Sequence, residues 1–373
     1  PVKHFFAYFA VFSLNSYDLA RKDFGVDGNG VKIGVISTGV DNLNQAQASG
    51  DLPSDVVVLA NGGWFEPDDE GTAMLEIIHD LSPGAELYFH DGGSTTRFRM
   101  GVNAFVSDGC DIIVDDIGYA FEPFFEDGPV AQAAASAVED GVVFVSAAGN
   151  NAEKHAEMNW TSTHDDPEDS NFNETLFGIP ALVFPNDEED ILFSLGPRHS
   201  VQATLQWSER FGAASHDYDI FVYTFSDYIA FLEEKMVYYE WLIYGYYDWY
   251  WYGYWYDSYG TLHLGEPVVP VATYAFSSED IQNGSGNPLE VVEVTNASFE
   301  WASYVMVVEG VASPSSTDRL EMLFWDWGST EAVNIPGEEG TSRGSIYGHS
   351  AVPGVIAVGA IDVNDAGLND IRP

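Results

Sequence analysis

Three short segments carry residues that could do acid–base chemistry. Glu70 begins an amphipathic stretch as part of Glu-Gly-Thr, Ser37 and Thr38 end a β-rich run, and Asn150 follows another such run. A carboxylate can act as a general base, a hydroxyl can attack a substrate, and an amide can donate to a developing oxyanion. A lone glutamate titrates near a pKa of about 4.3. Chemistry that depends on Glu70 is therefore expected in acid.

Further polar residues are candidates for binding. Asp116, Gly118 and Tyr119 follow an apolar run and are expected at the rim of a substrate groove. Asp217 and Asp219 would share one face of a strand, where such a pair either binds calcium or is solvated. No Cys or His spacing typical of zinc occurs. We expect no resident metal or cofactor, with calcium as the one possibility to test.

The elements that must position these residues alternate from residue 31 to about residue 150. Runs rich in Val and Ile indicate strands, and amphipathic segments between them indicate helices. This alternation predicts a parallel sheet with right-handed crossovers and flanking helices. The expected strands cover residues 31–36, 56–59, 86–89, 112–114 and 142–145, and the expected helices cover residues 70–81, 97–107 and 130–139.

The pattern changes after residue 150. Polar and apolar residues alternate over short runs such as 200–207 and 218–223, which is typical of an antiparallel β-sandwich. The α/β pattern returns at residues 354–360, so the sandwich is expected to be an insertion. The predicted parts are an N-terminal segment (1–30), a first α/β part (31–158), the sandwich with an aromatic hairpin (159–345, hairpin about 224–273), and a return to the α/β domain (346–373).

Four motifs in family order resemble the subtilisin-like serine peptidases. Residues 34–41 (GVISTGVD) are similar to the strand that ends in the family's orienting aspartate, and residues 70–72 (EGT), followed by SPGA, to the start of its catalytic helix. Residues 146–150 (SAAGN) are similar to the strand end with the oxyanion-hole asparagine, and residues 353–360 (PGVIAVGA) to the strand before the nucleophile helix. The resemblance covers about half of the chain and implies the oxyanion-hole position for Asn150.

The sequence departs from the family at both remaining triad positions. Ser37 stands where the family has its orienting aspartate, and a hydroxyl brings no negative charge to stabilise a protonated base. Glu70 stands at the base position, as in the acid-active sedolisins, but Met74 occupies the place of the aspartate that would share its proton. Glu70 is thus either a vestigial base or a helix N-terminal carboxylate favoured by the macrodipole.

The family's nucleophile motif, G-T-S-x-x-x-P, is expected beyond residues 353–360. The 373 residues do not contain it there. Residues 340–342 spell Gly-Thr-Ser, but they precede that strand and lack the following proline, so Ser342 is expected to be a loop serine. We therefore expect a truncated α/β domain in which no hydroxyl lies where a neighbouring proton acceptor could convert it into an attacking group.

Composition limits the classes of partner. The chain has 13 Lys and Arg against 59 Asp and Glu, a formal charge of -46. DNA, RNA and anionic membrane surfaces would be repelled, whereas high salt, calcium or acid would suit such a surface. No apolar stretch is long enough for a membrane span. Four N-x-S/T sites, at Asn159, Asn173, Asn283 and Asn296, favour an extracellular or cell-surface location.

An aromatic run extends from residue 238 to residue 259. Its Trp249, Trp251, Tyr252 and Trp255 are candidates for a contact surface toward another protomer, a polypeptide or a glycan, because alternating aromatics place rings on both faces of a strand. The alternative is a hairpin that folds onto its own domain.

The predicted function is that of an exported subtilisin-fold protein without a working triad, used for binding or self-assembly. An acid-active serine endopeptidase with its nucleophile in a further C-terminal segment is the first alternative. A carbohydrate-binding surface protein is the second. If the chain is an enzyme, a serine-type endopeptidase is expected.

Overall fold

The computed structural model describes residues 21–62, 68–150, 154–160, 182, 190–240, 254–256, 262–264, 274–325, 333–334, 344–361 and 371–372. The chain divides into two compact units. The α/β unit comprises Pro1–Ala152 and Ser342–Pro373, and the sandwich unit comprises Glu153–Thr341.

The strands and helices are numbered along the chain. The strands are β1 (Lys32–Ser37), β2 (Val57–Ala60), β3 (Glu86–Asp91), β4 (Ile112–Asp115), β5 (Val143–Ala147), β6 (His155–Asn159), β7 (Ile191–Leu195), β8 (Ser200–Trp207), β9 (Asp217–Thr224), β10 (Tyr254–Tyr256), β11 (Leu262–Leu264), β12 (Phe276–Ser278), β13 (Leu289–Thr295), β14 (Ala302–Ala312), β15 (Arg319–Trp325), β16 (Val333–Asn334), β17 (Ile356–Val358), β18 (Ala360–Ile361) and β19 (Ile371–Arg372). The helices are α1 (Leu43–Ser49), α2 (Glu70–Leu81), α3 (Thr95–Asp108), α4 (Pro129–Glu139) and α5 (Phe225–Glu240), with a 3₁₀ turn at Gly348–Ala351. Within the described ranges, no helix combines the length and the apolarity that crossing a membrane requires.

The α/β unit contains a parallel sheet of six strands in the order β17-β5-β4-β1-β3-β2, with helices between them. The predicted fold class is confirmed here. All five strand pairs are parallel. After β1 the chain builds one side of the sheet with β2 and β3, and it then crosses to the other side for β4, β5 and β17.

This strand order places a crevice at the ends of β1 and β4. The crossovers that leave these neighbouring strands run in opposite directions, so the loops that follow them separate at the carboxyl edge of the sheet. Ser37 is the last residue of β1 and Asp115 is the last residue of β4. Ser37, Thr38 and Asp116 therefore lie where open parallel sheets usually bind their ligands.

Apolar side chains cover both faces of the central strands. On one face the core contains Ile33, Val35, Leu75, Leu87 and Phe89. On the other face α3 and α4 pack on β1, β4 and β5 through Ile36, Phe98, Phe105, Ile113, Ala134 and Phe144. This two-sided burial explains why the strands are continuous apolar runs in the sequence.

The sandwich unit consists of two antiparallel sheets, as the alternating pattern predicts. Their strand orders are β12-β9-β14-β7-β16 and β13-β8-β15-β6. Alternate residues of β8 point into the core, where Val201, Ala203, Leu205 and Trp207 are fully buried. The separate pair β10 and β11 is antiparallel.

One helix lies where the aromatic hairpin was predicted to begin. Residues Phe225–Glu240 form α5 rather than a strand, so the hairpin is wrong for this part. The Thr224 hydroxyl accepts a hydrogen bond from the Asp227 amide at 3.2 Å and donates to the Asp227 carboxylate at 2.7 Å. This reciprocal bonding starts the helix in the manner of a capping box.

Candidate functional site

Helix α2 holds Glu70 beside the turn that follows β1. Gly71, the second residue of the helix, faces Phe89 and the backbone of Gly39. A Cβ atom at Gly71 would lie 2.4 Å from the Phe89 ring and 2.7 Å from the Gly39 carbonyl oxygen. Only glycine permits this close approach, so the Glu-Gly pair of the sequence motif has a steric cause.

Side chains also tie the start of α2 to that turn. The Thr38 hydroxyl donates to the Asp68 carboxylate at 2.5 Å. Asp69 occupies the N-cap position but makes no side-chain cap bond, and its carboxylate instead accepts from the Asn42 amide at 2.9 Å. The position of Glu70 is therefore set by contacts between the helix start and the β1 turn.

Ser37 and Asp116 meet across the crevice. The Ser37 hydroxyl donates to Asp116 Oδ2 at 3.1 Å, and the Ser37 side chain is fully buried. Asp116 Oδ1 is buried and has no hydrogen-bond partner among the described residues. The residue at the family's aspartate position is thus a donor to a second carboxyl group.

Burial and nearby carboxylates disfavour the ionisation of both Glu70 and Asp116. Burial, followed by the charge of Asp68, raises the pKa of Glu70. Burial, followed by the charge of Glu70, raises the pKa of Asp116 well above its usual value, and the hydrogen bond from Ser37 offsets only part of this rise. Because the charge of Glu70 acts on Asp116, the titrations of these two carboxyl groups are coupled.

Asp91, a neighbouring carboxylate at this edge, is neutralised by a cation. Asp91, at the end of β3, is fully buried and accepts two hydrogen bonds from the Arg97 guanidinium. Burial opposes its ionisation, but the Arg97 and Gly93 hydrogen bonds outweigh burial and lower the pKa of Asp91. The charges that act on Asp116, in contrast, are those of the carboxylates Glu70 and Asp115. Perturbed groups of this kind concentrate at functional sites.

Asp115 belongs to an internal network that the sequence did not reveal. Its Oδ1 atom accepts from His349 Nε2 at 2.9 Å and from the Ser146 hydroxyl at 3.1 Å. Ser350 Oγ lies 2.8 Å from Ser146 Oγ and 2.9 Å from the Ala147 carbonyl oxygen, and its single proton can serve one of these two contacts. All four side chains of the network are buried. The network links β4, β5 and the 3₁₀ turn, and it is a structural feature of the core.

The remaining predicted residues are spread along the same edge and beyond it. Asn150 is exposed and follows Gly149, whose φ is +91°. Gly118 is exposed, whereas Tyr119 is 7% exposed and its hydroxyl donates to the Gly92 carbonyl at 2.6 Å. Tyr119 therefore packs in the core in this structure.

The aromatic candidates are mostly outside the described residues. Trp249, Trp251 and Tyr252 lie there, and for Trp255 only the backbone is described, paired with His263 in the β10–β11 hairpin. Their role stays a prediction.

That no hydroxyl lies where a neighbouring proton acceptor could convert it into an attacking group stays a prediction, although two hydroxyls do donate to carboxylates. Ser37 donates to Asp116 and Thr38 donates to Asp68, pairs separated by 79 and 30 positions in the sequence. Tertiary structure brings these groups together, which explains why spacing did not show them. No hydroxyl of the described residues donates to the Glu70 carboxylate.

Calcium stays a prediction. In the described part of the chain, no group of three or more His, Cys, Asp or Glu side chains is arranged to hold a metal ion. Asp217 and Asp219 are 5% and 9% exposed, so they are not a solvated pair on a strand surface.

Comparison with solved structures finds peptidases over about a third of the chain. A lanthipeptide protease is 19% identical with a TM-score of 0.30, and the match covers 39% of this chain and 47% of that chain. The self-cleaved protease domain of PatA is 18% identical with a TM-score of 0.24, covering 34% and 52%. The PatG macrocyclase, solved with a peptide, is 12% identical with a TM-score of 0.26, covering 38% and 56%.

The chain thus spans about half the length of the structures it matches. No family model matches the chain, and no curated protein matches it significantly. The fold assignment accordingly rests on the sheet order and strand directions described above.

Proposed function

We propose that the α/β unit binds a polypeptide at the carboxyl edge of its sheet and does not cleave it. One observation carries this proposal: the Ser37 side chain is fully buried and donates to Asp116. It therefore supplies neither the negative charge that orients a base nor a hydroxyl that a substrate can reach. A retained scaffold without this charge favours binding over catalysis.

The crevice offers carboxyl groups and exposed backbone to such a ligand. The pKa values of Glu70 and Asp116 are both raised there, and Gly118 and Asn150 are exposed at the same edge. With a chain charge of -46, a neutral or basic polypeptide meets less repulsion than an acidic one. A basic peptide is accordingly the preferred class of ligand.

Peptide titration tests the binding proposal. We expect oligolysine to bind the wild-type protein more tightly than oligoglutamate, and the Glu70→Gln/Asp116→Asn variant to lose most of this binding. The matched control is Asp108→Asn/Asp140→Asn, which removes two exposed carboxylates elsewhere in the unit. If both double variants lose binding equally, oligolysine binding depends only on the net charge of the protein, and the proposed site is wrong.

A fluorophosphonate probe tests the absence of cleavage. We expect no covalent labelling from about pH 3 to about pH 7, the range over which a glutamate base would act. Thr38 is the partly exposed hydroxyl next to a carboxylate, so peptide mapping should examine it first. Labelling that is lost in Glu70→Gln would overturn the proposal.

An acid-active serine endopeptidase is the second candidate. The raised pKa values of Glu70 and Asp116 favour it, because a catalytic carboxyl group is most efficient when its pKa lies near the operating pH. Its nucleophile would have to come from residues outside the described ranges. Cleavage of denatured casein at about pH 4, abolished in Glu70→Gln, would support this candidate.

We also propose a cellular location and further partners for the protein. An extracellular or cell-surface protein agrees with the acidic composition. Self-association or glycan binding through Trp249, Trp251, Tyr252 and Trp255 rests on the sequence pattern alone. Sedimentation of the wild type and of Trp249→Ala/Trp251→Ala, together with glycan-array binding, would test both.

A further inference from the structure

The sandwich unit buries four carboxyl groups close together. Asp217 and Asp219 lie on β9, Glu290 lies on β13 and Glu309 lies on β14. They are 5%, 9%, 0% and 3% exposed, respectively. Buried carboxyl groups are rare unless something neutralises them. These four residues are called the buried carboxyl cluster below.

The strand register and one glutamine connect the cluster. Asp219 stands directly opposite Glu309 in the β9–β14 pair. The Gln282 backbone amide donates to Asp217 Oδ1 at 3.2 Å, and its side-chain amide donates to Glu290 Oε1 at 2.8 Å. Gln282 thereby bridges β9 and β13.

The same glutamine shows that a donor is missing. Gln282 is 5% exposed, and its Oε1 atom is buried without a hydrogen-bond partner among the described residues. The side chain ends inside the cluster, because its nitrogen bonds Glu290. An ionised carboxylate only accepts hydrogen bonds, whereas a protonated carboxyl group can also donate one. The unpaired amide oxygen therefore points to a carboxylic acid in its surroundings.

The charges around Asp219 are of one sign. Burial, then the charges of Asp217, Glu290, Glu279 and Glu309, raise the pKa of Asp219 to about 7. Like charges at short distance in a buried site cannot all ionise. The neighbouring titratable group Tyr223 is itself kept neutral by burial and by Glu309.

Glu290 behaves in the same way. Burial raises its pKa to about 7, although hydrogen bonds from Ser278, from Gln282 and from the Asp280 amide favour the ionised form. The Asp280 carboxylate adds a further opposing charge. Donors are present at Glu290, but they do not outweigh its burial.

We propose that the buried carboxyl cluster is a proton-operated device, which keeps the sandwich folded while it holds protons and loosens it when they leave. In the unfolded chain Asp219 and Glu290 release their protons near pH 4, whereas in the folded cluster these two groups keep them up to about pH 7. The free energy of unfolding is therefore highest below about pH 4, decreases as the pH rises to about 7, and stays low above it.

Hydrogen exchange of the whole protein, read by mass spectrometry on β8, β9 and β14 peptides, tests the device. Between about pH 5 and about pH 8 we expect the opening equilibrium constant of these strands to rise at least roughly tenfold, after correction for intrinsic exchange. The variant Asp219→Asn/Glu290→Gln keeps the shapes of both side chains but removes their titratable protons. In this variant we expect the rise in the opening equilibrium constant to disappear.

The matched control is Glu293→Gln. Glu293 lies on the same strand as Glu290 but is exposed, so the rise should persist in this variant. An equal rise in the wild type and the double variant would overturn the proposal. So would calcium that binds the wild type at about pH 8 and restores its low-pH protection, because the cluster would then be a cation site.

Infrared spectroscopy covers the case in which the double variant fails to fold. We expect the folded wild type at about pH 6 to show a carbonyl band of buried, protonated carboxyl groups and to lose it at about pH 8. A folded protein without this band at about pH 6 would also overturn the proposal.

Discussion

The close approach of α2 to the β1 turn predicts an unusual result for Gly71→Ala. In most helices this change is stabilising, because alanine has the higher helix propensity by about 1 kcal/mol. At Gly71 the new methyl group would lie 2.4 Å from the Phe89 ring and 2.7 Å from the Gly39 carbonyl oxygen. Phe89 is fully buried and the Gly39 oxygen belongs to the backbone, so neither can move freely.

The magnitudes decide the sign of the effect. Overpacking a rigid core costs about 1–3 kcal/mol. Two contacts below 3.0 Å place Gly71 toward the upper part of that range. After the gain in propensity of about 1 kcal/mol is subtracted, we expect the free energy of unfolding to fall by about 1–2 kcal/mol.

Urea denaturation of the wild type and two variants measures this difference. Ala73→Gly in the same helix is the matched control, since it reports helix propensity and should lower stability by about 1 kcal/mol or less. If Gly71→Ala is instead more stable than the wild type, the steric reasoning is refuted. Glu70 would then not owe its position to this contact.

Three further outcomes follow from the charged groups of the α/β unit. His349→Ala should lower the free energy of unfolding by about 3–5 kcal/mol in urea denaturation, because it removes a buried partner of Asp115. A loss below about 1 kcal/mol would contradict a stabilising role of this hydrogen-bond network. In the wild type, the raised pKa of Asp116 keeps a proton on the folded state only, so stability should decline as the pH rises above about 4, and Asp116→Asn should flatten this decline. Thermal melts across pH check this, and an unchanged slope would argue against the raised pKa of Asp116. Arg97→Met should lower the free energy of unfolding by about 1–3 kcal/mol at neutral pH. The loss should shrink in acid, because Asp91, whose folded pKa is lowered, takes up a proton there in both proteins. A loss that does not depend on pH in the same melts would contradict this.

Local pattern was sufficient for the central strands and the three longer helices of the α/β unit, whereas helix α1 (Leu43–Ser49) was not predicted. The predicted helix 70–81 matches α2, and the predicted strand 31–36 differs from β1 by one residue at each end. These elements are buried on one or two sides, so burial leaves a clear period in the sequence. The sandwich was recognisable for the same reason, because apolar core residues alternate with polar residues along β8, although Thr204 and Gln206 are themselves buried.

Helix α5 was missed although a local signal for it exists. The predicted hairpin was drawn from the aromatic alternation after residue 238 and was extended backward to about residue 224, over residues that form a helix. The missed signal is the spacing of Thr224 and Asp227, which is that of a capping box. Strand β6 was likewise assigned to the α/β part. It is short, and its pairing with β15 spans more than a hundred residues, which no local pattern records.

The candidate site shows the limit of motif reasoning. Ser37 and Glu70 were found from their motifs, but the partner that changes their chemistry is Asp116, 79 positions from Ser37. Asp115 and His349 are 234 positions apart and meet only because β4 and the 3₁₀ turn lie at the same sheet edge. Spacing along the chain identifies single functional positions, and tertiary contact decides which charge each of them meets.

The carboxyl groups around Asp116 and those of the buried carboxyl cluster bear on three explanations of the acidic composition, which are high salt, calcium and acid. Salt screens exposed charges, but it reaches buried pairs only weakly. With 59 acidic and 13 basic residues, the chain has few cations to place beside a buried carboxylate. Asp91 receives one from Arg97, whereas Asp116 and Asp219 are surrounded mainly by other carboxyl groups. Of the three explanations, salt is therefore the one that these two buried sites disfavour, whereas a bound proton or a calcium ion would neutralise them.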